Sequence, residues 1–117
     1  MALRHARSGE VVRLAPWRLL ETDERTSAVL KAAQLEVVQV VLQAGRGLPE
    51  HRVPGEITVL CLSGAVDFRH AGSVDRMNAG DFMHLGPDMP HALDAVADAV
   101  LLVTISLQPQ AGRAPAS

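Results

Sequence analysis

Apolar and polar residues alternate with a period of two along most of this chain, in short pieces broken by turn-forming residues. Ala28–Leu30 is one such piece. Leu35–Gln43 (LEVVQVVLQ) is longer, and its valines favour extended backbone because branching at Cβ restricts them in a helix. Ala44–Pro49 (AGRGLP) reads as a turn-rich break. Ile57–Leu62 (ITVLCL) is the next strand, stopped by Ser63-Gly64. Ala65–His70 follows, with Ala71-Gly72-Ser73 as a hairpin turn and Val74–Met77 pairing back. Beyond Ala79-Gly80-Asp81 come Phe82–Leu85, a loop at Gly86–Pro90, His91–Ala95, a turn at Ala97-Asp98, and Val100–Leu107 (VLLVTISL). This spacing predicts seven or eight short strands and an all-β sandwich or barrel. The helical stretches of ~10–15 residues that a parallel α/β sheet requires are missing from the pattern.

Several of these strands are apolar on both faces. In Ile57–Leu62 one parity holds Ile57, Val59 and Cys61, and the other Thr58, Leu60 and Leu62. A strand with one wet face alternates more cleanly. Both faces are therefore expected to be covered, the outer one by a second subunit or by the N-terminal segment, and a homodimer is the expectation. One domain accounts for residues 1–117, with a barrel core at about 27–108, a lead-in at 1–26 and a flexible tail at 109–117. Residues 17–25 (WRLLETDER) are expected to make a helical turn or a loop.

Composition narrows the choice of function. Hydrophobic residues make up 48% and charged residues 21%, so the chain can bury a core. Aromatic residues are only 3%, which leaves little for stacking on bases. The 11 Lys and Arg nearly balance the 13 Asp and Glu, so no basic footprint for nucleic acid or for an anionic membrane is expected. Cys61 is the single cysteine, which excludes an internal disulfide. No signal peptide or membrane-length apolar run is evident, and a cytoplasmic location is the expectation.

The candidate chemistry rests on histidine. His5 and His70 are expected to be solvated, whereas His51, His84 and His91 lie in or beside apolar segments. Gly45–Gly64 reads GRGLPEHRVPGEITVLCLSG, and Gly80–His91 reads GDFMHLGPDMPH. Together they resemble the two sequence motifs of the cupin superfamily, with Gly45, His51, Gly64, Gly80 and His91 at the family's spacings. The resemblance implies a small double-stranded β-helix, the jelly-roll cupin barrel, over most of the chain. It also implies that the motif glycines occupy turns of positive φ. Metal-binding cupins use three His and one Glu on the inner face. Here Val53 and Ile57 stand where the second His and the Glu belong, and Gly86 and Asp88 stand where Pro and Gly are usual.

Those departures split the functional reading. The expected pocket is lined by His51, Val53, Ile57, Val59, Cys61, Met83 and His91. In one reading it binds a small molecule with a degenerate metal site and no assigned reaction. In the other, His51 and His91 hold a divalent transition metal for oxygenase or isomerase chemistry, although most such sites take three or four protein ligands. Without a metal, the two imidazoles could also orient a ligand or act as acid and base. Glu56 is one residue out of register to replace the missing Glu, and His84 has the outward parity. Cys61 has the inward parity, where a lone Cys usually serves as a small hydrophobe. Arg46 and Arg52 are placed beside the mouth, where they could attract a carboxylate. Asp81 is expected to bond backbone at its turn.

Overall fold

Strand formation follows the period-two segments closely. The computed structural model describes residues 5–14 and 25–107. Within them the strands are β1 (Arg25–Lys31), β2 (Leu35–Leu42), β3 (Gly47–His51), β4 (Ile57–Ser63), β5 (Ala65–His70), β6 (Ser73–Asn78), β7 (Phe82–Leu85), β8 (His91–Ala95) and β9 (Ala99–Ser106). The expected tail at 109–117 and nearly all of 17–25 lie outside the described residues. No described helix is long and apolar enough to cross a membrane.

The strands form two antiparallel sheets, one ordered β1-β2-β9-β4-β7 and the other β3-β8-β5-β6. Every sheet neighbour except β1-β2 and β5-β6 is distant in sequence, the crossing pattern of a jelly roll. The sheets face each other and bury inward residues of most strands. From the first sheet, Val40, Leu42, Ile57, Val59, Cys61, Leu85, Ala99 and Leu101 point inward; from the second come Val66, Phe68, Met77, Leu93 and Ala95. The second parity of the first sheet is also substantially covered. Gln39, Val41 and Val100 are buried and Leu60, Leu62 and Leu102 half-buried, while Phe82 at the β7 edge is 64% exposed.

The segment around Ala44–Pro49 corrects the sequence reading, because Gly47–His51 is a strand rather than part of a break. It lies at a sheet edge, with an irregularity between Leu48 and His51. Pro49 falls in that irregularity, where its missing N–H costs no ladder bond.

The motif glycines do have positive φ: 87° at Gly45, 80° at Gly64 and 93° at Gly80. Gly64 is the most constrained of them, since a Cβ there would meet the Asp98 carbonyl oxygen at 1.9 Å. Asp88, at the motif position usually held by Gly, also has a positive φ of 58°. Asp tolerates that region better than most residues, so the substitution keeps the loop's shape. Asp81 bonds the Asn78 amide at 2.7 Å across the turn, as expected.

Candidate functional site

The two inward faces are mostly apolar, yet they fill the barrel unevenly. At one end Leu42, Cys61, Val66, Met77, Ala95, Ala99 and Leu101 close on one another and are all buried. Toward the other end a cavity of about 390 Å³ opens between the sheets. That volume is at the low end of the ~300–1,000 Å³ typical of ligand pockets. The first sheet contributes Thr26, Val38, Val40, Ile57, Val59, Val103 and Ile105 to its wall. The second contributes Leu48, Pro49, His51, Phe68, His91 and Leu93.

The polar part of this wall comes from strand register. His51 on β3 pairs with His91 on β8, and His91 pairs with His70 on β5. Paired residues on adjacent strands project from the same face, so three imidazoles form a row. The rings of His51 and His91 meet edge to face, 4.4 Å between centroids. Phe68 stacks on His91 at 5.7 Å and touches His70 at 5.9 Å. His70 was expected to be solvated; the inward parity of β5 instead brings it beside His91. Its Nε2 donates to Asp75 Oδ2 at 2.8 Å.

Backbone carbonyls orient the other two rings. His91 Nδ1 donates to Met89 O at 2.9 Å and His51 Nδ1 to Pro49 O at 3.2 Å. A carbonyl only accepts, so in each neutral ring the proton is on Nδ1 and Nε2 carries a lone pair. His91 is only 6% exposed. Burial lowers its pKa from the ordinary 6.5, the Met89 carbonyl opposes that shift, and His51 and His70 reinforce it. His91 is thus neutral at pH 7.

The residues expected to line the pocket separate into two groups. His51, Ile57, Val59 and His91 line the cavity. Cys61 belongs to the closed core, with its thiol directed at the Ser63 and Gly64 carbonyls and its pKa raised chiefly by burial. Met83 is paired with Val59 and packs against the core rather than the cavity. Val53 lies in the loop after β3, where its carbonyl accepts from the Asp88 amide, and it too packs on the core. Arg46 is not at the mouth: its backbone bonds Ala95, at the opposite end of β8 from His91. Phe68, Leu93, Val103 and Ile105 escaped the sequence reading, although each carries the inward parity of its strand.

The donor set does not fit a resident metal with three or four protein ligands. Positions 53 and 57 supply no ligand atom, and His70 already bonds Asp75. Among the described residues no group of three or more His, Cys, Asp and Glu could hold an ion. Glu56 and His84 bond each other at 2.6 Å, exposed, with His84 paired to the outward Thr58. Neither reaches the cavity wall.

Two crossed antiparallel sheets, glycine turns at the motif positions and a histidine from each motif meeting at one cavity all describe one architecture. Residues 38–106 match the cupin domain family. The chain belongs to the cupin family. Among solved structures, this cupin is similar to a conserved protein of unknown function from Streptococcus pyogenes, at 19% identity, with 91% of this chain and 96% of the other covered and a TM-score of 0.73. It is similar to an RmlC-like cupin from Desulfovibrio desulfuricans at 25% identity, with 87% and 97% covered and a TM-score of 0.68. It is also similar to a predicted oxalate decarboxylase from Thermotoga maritima at 20% identity, with 70% and 78% covered and a TM-score of 0.64. No curated protein matches the sequence. These likenesses establish the fold; cupin barrels host unrelated functions, so the reaction has to be argued from the site.

Proposed function

We propose that this cupin binds a small, mostly apolar molecule in the cavity between its sheets. The observation that carries the reading is the wall itself, an almost wholly aliphatic enclosure with two backbone-oriented imidazoles at one side. Such a site buries an apolar body and offers few polar anchors, the usual composition of ligand pockets. Methyl-resolved NMR with a set of small apolar compounds tests it. Shifts confined to Ile57, Val59, Val103 and Ile105, abolished by the cavity-filling Val103→Phe, are expected. Compounds that leave those methyls unmoved at millimolar concentration would overturn the reading.

A second reading places a divalent transition metal on His51 and His91, completed by ligand or water, as the core of an enzyme. One feature favours it: carbonyl bonds at Nδ1 leave Nε2 of both rings bare, the arrangement that orients metal-ligating histidines. Stoichiometric zinc or manganese retained by purified untagged protein and lost in the His51→Ala/His91→Ala double variant would establish it. Failure to take up either ion would remove it. We further propose a homodimer through the apolar outer face around Leu60, Leu102 and Phe82, which light scattering would contradict by showing a monomer at micromolar concentration.

A further inference from the structure

We infer that the imidazole pair makes this cavity selective for a neutral ligand with a hydroxyl or amine hydrogen to donate, and against carboxylates at neutral pH. The inference rests on the cavity being a ligand site and specifies what its polar end recognises. Its basis is a mismatch between the number of imidazoles at the wall and the number of groups that could make them cationic or metal-bound.

Each ring spends its one N–H on a carbonyl, His91 on Met89 and His51 on Pro49. Their Nε2 atoms have no protein partner among the described residues. With the donated proton of each ring on Nδ1, the two Nε2 lone pairs present two acceptors to a ligand. An acceptor left unpaired beside an apolar body costs free energy, and an O–H or N–H removes that cost. A carboxylate brings only acceptors, so both partners would go unsatisfied. The ring contact at 4.4 Å further disfavours a second positive charge in the pair.

The surrounding charges leave this picture in place. His70 flanks His91 from β5, and its Nε2 is committed to Asp75 on β6. On β3, Glu50 lies with Arg69 and His70 along a separate surface groove, and Arg69 is bonded to Asp94. From the opposite sheet, the wall facing the pair is aliphatic apart from Thr26; Glu36 and its β1 partner Lys31, which is exposed, end the Ile105–Ile57 row and lie off the cavity wall. Arg52, directly after His51, is exposed and does not line the cavity, so none of these groups is a fixed cation at the wall for a carboxylate.

Benzyl alcohol, toluene and benzoate test this as shape-matched probes, titrated by NMR in the presence of EDTA at pH 7.5. At pH 7.5 benzyl alcohol is expected to bind ~3–10-fold more tightly than toluene, the worth of one hydrogen bond. Benzoate is expected to bind more weakly than either. His51→Leu, an exposed-site change, should reduce the alcohol's advantage while toluene still binds, and His91→Leu should reduce it further. Should His91→Leu fail to fold, His51→Leu and the three-ligand comparison still decide the matter. Equal binding of alcohol and toluene, or benzoate favoured at pH 7.5, would overturn the donor preference while leaving the cavity as a ligand site. Binding by none of the three would overturn both.

Discussion

The closed and open ends of the barrel are built from the same strands, yet they differ in what those strands bury. At the closed end Cys61, Val66 and Leu101 leave no room between the sheets. A few residues along the same strands, Val59, Phe68 and Val103 instead face a cavity. The closed end is where core packing is complete, and the open end gives up contacts in order to hold space. Stability and function are thus divided along the barrel axis, within single strands rather than between elements.

Truncating the closed end should have the largest effect. Leu101→Ala is expected to cost about 4 kcal/mol in chemical denaturation, because the surrounding packing cannot collapse into the void. Ile105→Ala at the open end should cost roughly 2 kcal/mol, the low end for such truncations, since its side chain already borders empty space. Equal costs would break the division.

The turns give a sharper version of the same comparison. Gly64→Ala is expected to lose about 3 kcal/mol, combining an unfavourable φ with collision against the Asp98 carbonyl. Gly72, in the hairpin beside His70, has a φ of 77° but open space around it. Gly72→Ala should therefore lose only about 1–2 kcal/mol, the cost of the left-handed conformation alone. Thermal melts of the two variants read the difference.

A pH series probes the open end alone. The folded-state pKa of His91 lies below its ordinary 6.5, so between those two values the unfolded chain binds more protons than the folded one. Stability should fall as pH drops below 6.5 and stop falling on this account once pH passes the folded value. Denaturation midpoints from pH 7 to pH 5 should decline less steeply in His91→Leu than in the wild type. A steeper decline in the variant would show that His91 is not the group responsible. The smallest effect is expected at the outer edge: Phe82→Ser should change the stability of the monomeric fold by less than about 0.5 kcal/mol, since the ring is already in water.

Much of the fold was legible because period-two alternation and turn glycines are local properties. Ile57–Ser63, Ala65–His70, Phe82–Leu85 and His91–Ala95 follow directly from them. β3 was hidden because an edge strand needs only half its hydrogen bonds, so Gly47 and Pro49 can occur within it. The candidate site was legible in part. Motif spacing located His51 and His91, but parity within one strand cannot tell a residue facing the cavity from one facing the closed core. Cys61 has the parity of Val59 and ends in a different environment.

The amino-acid sequence by itself determined which segments are extended, which of their faces are apolar, where the backbone must turn through positive φ, and that two ligand positions of the cupin motifs are aliphatic. The tertiary structure alone decided which strands lie side by side. That choice placed His70 next to His91, moved Arg46 to the far end of β8, and set where the facing sheets leave a cavity. The reason is physical: alternation is imposed residue by residue along one strand, whereas register and the separation of two sheets come from packing between segments far apart in the chain.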